Sequence, residues 1–160
     1  MKKLFYLLYL LPLAFFASCS NDDDLANVDL TLTLSGVTQI EENGAFYTVA
    51  GNDITVDGVS VKSLTGKDAT IVNVRYFFQG VPLPFLTNPD DPMLGTFSTE
   101  GIEAGNYTLS LTAQVLQVDK TITNVAANYR VVIVENAEDL PDNAPEIGTY
   151  HVTTTIAPEK

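Results

Sequence analysis

The chain is expected to fold as an all-β sandwich of two sheets, with about seven to nine antiparallel strands. Three observations predict it. Apolar and polar residues alternate through most of residues 25–136, which is the period of a half-buried strand. Turns bearing Gly, Asn, Asp or Pro interrupt that alternation along the chain. No apolar pattern of helical period stands between them.

The first strand is "NVDLTLTLSG", with Val28, Leu30, Leu32 and Leu34 on one face and Asp29, Thr31 and Thr33 on the other. "ENG" at 42–44 is a turn, and "AFYTVA" begins the next strand. In "DITVDGVSVKS", Asp57-Gly58 separates Ile54 and Val56 from Val59 and Val61. Asp-Gly between such runs predicts a hairpin, with a bulge in one continuous strand as the competing reading. "LTGKDA" turns the chain again. "TIVNVRYFFQG" is apolar on both faces and is expected to be a central strand. "PLPFLTNPDDP" holds four prolines in eleven residues. Proline has no N–H for a ladder, so this stretch is an edge or a loop. "GTFST" is a short strand. "GNYTLSLTAQVLQV" points Tyr107, Leu109, Leu111, Ala113 and Val115 inward, and "NYRVVIVEN" follows as the next strand. "ENAEDLPDNAPE" at 135–146 is acidic and proline-bearing, hence an exposed connection. "TYHVTTTIA" alternates once more and predicts a further edge strand.

Ahead of the strands stands a segment of another kind. Lys2 and Lys3 are followed by an apolar run from Leu4 to Phe16, then by Ala17, Ser18 and the only cysteine, Cys19. A basic start, a short apolar stretch and small residues make a secretory signal peptide. The run is shorter than the roughly 20 residues a spanning helix needs. "FASC" resembles the lipobox of bacterial lipoproteins, although Phe16 replaces the commoner Leu. That resemblance implies cleavage before Cys19, a thioether-linked lipid on its sulfur and acylation of its amine. "SNDDD" (Ser20, Asn21, Asp22, Asp23, Asp24) resembles the export signal of Bacteroidota surface lipoproteins, which implies an outer-membrane, cell-surface location. The simpler reading of the same residues is a solvated acidic tether. The expected organisation is a signal peptide at 1–18, lipidated cysteine and tether at 19–26, the sandwich at 27–136, and the connection with its edge strand at 137–160.

The formal net charge is −12, and removing residues 1–18 with their two lysines takes it to −14. A polyanion of that kind is a poor partner for nucleic acid. With one cysteine, no disulfide can form within the chain, so stability must come from packing and the ladder.

"VNVRYFFQGVPL" followed by "FSTEGIEAGNYTLSLTAQV" resembles a bacterial immunoglobulin-like module over roughly residues 70–135. Gln79-Gly80 matches the turn that ends a central strand of that family. Gly105, Tyr107 and Leu109 match its G-x-Y-x-L stretch. The resemblance implies that Tyr107 is a structural tyrosine corner, its hydroxyl bonding back to nearby backbone. The paired cysteines and core tryptophan of antibody domains are absent, so phenylalanines and tyrosines must fill that volume.

Chemistry is thinly represented. There is one histidine, His151, and no G-x-S-x-G elbow. No His pair or Cys cluster offers a metal site, and most carboxylates fall in turns. The chain is therefore expected to be non-catalytic, with no cofactor and no metal, and a small hydrolase is the remote alternative. Asn88, Asp90 and Asp91, and Glu135, Glu138, Asp139 and Asp142, supply oxygens of the kind calcium takes, but not at EF-hand spacing. The expected role is binding, adhesion or scaffolding. The partners would be the membrane, through the lipid anchor, and a cell-envelope protein or a glycan. For a glycan, the ring candidates are Tyr47, Tyr76, Phe78 and Phe85. Phe85, in the proline-rich stretch, is expected to be the most exposed and is the ligand-contact candidate.

Overall fold

The computed structural model describes residues 27–40, 44–66, 68–79 and 85–157. The expected signal peptide, Cys19, the residues from Ser20 to Asp24, and Gly80 lie outside the described residues.

The described residues form β1 (Val28–Ile40), β2 (Ala45–Val49), β3 (Asp53–Ser63), β4 (Ala69–Gln79), β5 (Phe85–Thr87), β6 (Gly95–Ser98), β7 (Gly105–Gln117), β8 (Ile122–Val134) and β9 (Gly148–Ile156). Their only helical element is a single 3-10 turn, Ala137–Asp139. The strands run β4-β7-β8-β2-β1-β3-β6-β5, and β9 pairs with β1. This is a mixed sheet that curls almost into a barrel. The expectation of purely antiparallel pairing fails at one place, because β2 lies parallel to β8.

β1 makes the curl possible. Its residues 28–35 pair with β3 on one side and β9 on the other, while residues 38–40 pair with β2. The change of partner happens at Gly36, in the left-handed region with φ of +78°. The register against β9 slips there, between Ser35 and Val37. The buried Thr48 hydroxyl donates to the Gly36 carbonyl at 2.8 Å. The other buried polar residues, Thr38 and Thr99, donate to the carbonyls of Pro145 and Asn52, so none of the three is left unpaired.

Alternation sets the core. Val28, Leu30, Leu32 and Leu34 of β1 are fully buried, and Leu109, Leu111, Ala113 and Val115 of β7 face them. From β8 come Val125, Ala127, Tyr129, Val131 and Ile133. Rings occupy one end. Phe97 lies 4.6 Å from Phe85 and 5.9 Å from Phe78, and Phe78 lies 5.5 Å from Tyr107.

Two local expectations are corrected, and a third is refined. Asp57-Gly58 is not a hairpin, because β3 runs through it as one strand. The register against β1 shifts there, so Asp57 is the extra residue of a bulge. Gly58 does not take the positive φ a type I′ turn demands. β4 is not central: it pairs only with β7. It looks apolar on both faces because a bulge at Val72 exposes that residue, and Phe77 is left at solvent. The 135–146 connection is mostly exposed but is fastened down. Leu140 and Ala144 pack against Ile40, Ala45, Tyr47 and Val134.

Candidate functional site

Among the described residues the curled sheet is open at two places: along β9, which pairs only with β1, and at a seam between the two ends of the strand order. Its end strands, β4 and β5, do not pair with each other. β3 is paired with β6 only over Asp53–Val56, so from Asp57 to Ser63 one of its edges carries no strand among the described residues. A cleft of about 430 Å³ lies along that edge. β3 lines it from Asp57 to Val61, β4 with Ala69, Thr70 and Ile71, and the β5–β6 connection with Asp91, Met93 and Leu94. Val59, Val61, Ala69 and Ile71 are half-buried and pack on the main core, so the floor is apolar. The only charged residues of the lining are Asp57 and Asp91.

Local chemistry holds this wall in place. The Asp91 carboxylate accepts from the Met93 amide at 3.0 Å, and the Asn88 side-chain oxygen accepts from the Asp90 amide at 2.9 Å. Both are turn-forming bonds that Asp and Asn make readily. Tyr76 donates its hydroxyl to the Met93 carbonyl at 2.9 Å, tying the connection to β4. Burial pushes the Tyr76 hydroxyl well above its ordinary pKa, and the Asp91 charge adds to the effect. Tyr129 is raised too, chiefly by burial. Both phenols are therefore held protonated in the fold more firmly than in the unfolded chain, where they ionise near pH 10. Their contribution is complete below that pH and is lost as pH rises towards the folded values. Urea midpoints should fall as pH rises above about 10, and less steeply for Tyr76→Phe. An equal slope for the two proteins would mean Tyr76 is not a source of the loss.

The outer faces of the sheet differ. On β9 and β1 the polar side chains bond to one another: Thr31 with Thr153, Thr33 with His151 and Ser35 with Thr149, at 2.7–2.9 Å. On β4, β7 and β8, Asn73, Arg75, Thr112, Gln114 and Asn124 line a shallow depression. Among the described residues, none of these five side chains makes a hydrogen bond. Phe77 stands two positions along β4 from Arg75, 64% exposed.

The aromatic expectations are corrected here. Tyr47 and Phe78 are buried. Tyr76 is half-buried, with its hydroxyl bonded to Met93. Phe85 is not an exposed loop residue. It opens β5 and is half-buried, its ring 4.8 Å from Tyr76 and 4.6 Å from Phe97. Among the described residues the exposed ring is Phe77, which the double Phe in "YFFQ" left undistinguished. Among the described residues no group of three or more His, Cys, Asp or Glu is gathered as a metal site. Asp139, one of the calcium candidates, accepts from the Asn136 backbone and side-chain nitrogens.

Tyr107 donates its hydroxyl to the Glu103 carbonyl at 2.7 Å, and Tyr150 donates to the Glu146 carbonyl, also at 2.7 Å. The two stretches read "EAGNY" and "EIGTY", so one E-x-G-x-Y spacing makes the same back-bond ahead of β7 and ahead of β9. Sequence reasoning passed over the second copy, although the spacing was visible. Tyr107→Phe and Tyr150→Phe should each cost about 0.5–1.5 kcal/mol, the net worth of one hydrogen bond. Coincident urea midpoints would deny the bond a role in stability.

No protein-family model matches this chain, and no curated protein matches it in sequence.

Proposed function

We propose that this chain is a lipid-anchored, non-catalytic binding module on the outer face of a bacterial outer membrane, built as an immunoglobulin-like sandwich. The strand order supports that form. β1-β3-β6-β5 follow the A-B-E-D order of one immunoglobulin sheet, and β4-β7-β8 the C-F-G order of the other. Tyr107, at the start of the strand in the F position, makes the back-bond of a tyrosine corner. The open seam is the observation that carries the binding role: an apolar cleft beside an unpaired strand edge suits a protein partner, such as a cell-envelope component. "FASC" and "SNDDD" support the anchor and its location. A lipid anchor joined to a partner-binding seam makes this a scaffold or adhesion component.

Cys19→Ala should abolish metabolic fatty-acid labelling and move the protein out of the membrane fraction. Replacing Asp22, Asp23 and Asp24 by Ala should leave labelling intact and lower protease shaving of whole cells. Retained labelling in Cys19→Ala would sink the anchor. For the seam, cross-linking from a photoreactive residue at position 61 in native membranes should capture a partner. No adduct there, against adducts elsewhere, would sink the seam as the binding site.

A second reading is glycan binding, and the depression on β4, β7 and β8 favours it. Amides and a guanidinium without internal partners, beside an exposed ring, suit sugar hydroxyls and an apolar sugar face. Under this reading Phe77→Ala and Arg75→Ala weaken retardation in polysaccharide-containing gels. Unchanged mobility of both would remove it.

A further inference from the structure

We infer that the seam takes its partner as an added β-strand: an extended segment of another protein, with alternate apolar residues and a lysine or arginine at one end. The inference rests on the seam being the binding site and goes further by naming what binds. The edge is suitable. Beyond the Asp57 bulge, β3 holds unbroken register with β1 from Gly58 to Ser63, and no strand lies on its other side among the described residues. Exposed backbone N–H and C=O groups in such a row are a template for pairing. β4, across the cleft, is a poorer template because its bulge at Val72 disrupts the row.

Side chains set the pattern. Successive residues of an added strand point to opposite faces, so every second one enters the cleft. There they meet Val59, Val61, Ile71 and Met93, which ask for apolar groups. The other residues stay at solvent, level with Ser60 and Lys62, both exposed. Charge selects the partner. Asp57 and Asp91 line the cleft, and among the described residues no Lys or Arg does. A second copy of this chain, itself at −12, is opposed by that charge, whereas a basic residue at the segment's end is drawn to it.

Hydrogen exchange of the full-length protein in detergent tests this, with three synthetic probes. They are acetyl-TVTVTVK-amide, the same peptide with Glu for Lys, and the Lys peptide N-methylated at alternate residues on its pairing edge. The Lys peptide should slow exchange across residues 57–63 about tenfold and leave β4 unchanged. The Glu peptide, or the Lys peptide on Asp57→Asn/Asp91→Asn protein, should need at least fivefold more peptide for the same protection. The N-methylated peptide should give none. Equal protection by the N-methylated peptide would overturn strand addition while leaving the seam as a binding site. Equal protection by the Glu peptide would overturn the basic partner. No protection by any probe at millimolar concentration overturns the inference. A partner cross-linked at position 61 would then still stand as evidence for the seam itself.

Discussion

Gly36→Ala is expected to lower stability by about 2–5 kcal/mol, a large share of the total for a domain of this size. Two effects add. The backbone there sits at φ +78°, a region that costs a residue with a Cβ roughly 1–2 kcal/mol. A Cβ at that position would also fall on the Asp53 carbonyl oxygen, 2.0 Å away, which is inside any contact distance. The oxygen belongs to the backbone of β3 and cannot swing aside, so β1 or β3 must shift. Such forced overpacking costs typically 1–3 kcal/mol. The shift would also strain the Thr48 hydroxyl bond to the Gly36 carbonyl. Gly51→Ala separates the two effects, because Gly51 has φ of +88° but nothing within 4 Å of its added Cβ. It should lose only the conformational part. Equal urea midpoints for the two variants would show that the Asp53 carbonyl yields without cost.

Removing residues 147–160 is the second large change. β9 pairs with β1 from Val28↔Ile156 to Val37↔Gly148 and packs Tyr150, Val152 and Ile156 against the core. Each is only half-buried, so their loss costs about 1 kcal/mol apiece, less than full burial would give. The Tyr150 back-bond adds about 1 kcal/mol. A total near 4 kcal/mol is expected, read from the urea midpoint. Deletion also bares the outer edge of β1 from Val28 to Val37, where Val28, Leu30, Leu32, Leu34 and Val37 are fully buried. Such an edge invites pairing with another chain. Sedimentation should therefore show association that the full chain lacks. In the intact protein, amides of Val152 and Thr154 should exchange slowly. Solvent-like exchange at both, with a monomeric and equally stable truncated protein, would mean β9 does not hold β1.

Much of this fold was legible because a strand has a period of two. Alternation alone names the buried face of "VDLTLTL" and of "LSLTAQV", since a side chain two positions on returns to the same side. The E-x-G-x-Y back-bonds are local too, spanning four residues. The proposed signal peptide and acidic tether rest on order and composition alone, with no need of a partner in space.

Other features could not be read that way, because period two tells which face a residue occupies and not which strand lies beside it. Pairing joins Thr31 to Thr153, 122 positions apart, and nothing local selects that neighbour. β4 therefore passed for a central strand until its partners were known. Neighbouring residues of a strand always divide between its faces, but the bulge at Val72 resets the parity and so decides that Phe78 turns inward and Phe77 to solvent. Asp57-Gly58 satisfied the local chemistry of a turn, yet pairing with β1 from Val28 to Ser35 keeps β3 one continuous strand and leaves a bulge. Phe85 sits among prolines, but Phe97 and Tyr76 offer it an apolar wall that only the assembled sheets create. The seam is the clearest case. Sequence determined the strands and their inward faces. Tertiary structure decided that β6 covers only four residues of β3, because strand ends are fixed by how far each partner reaches, and so left an edge free beside a cleft.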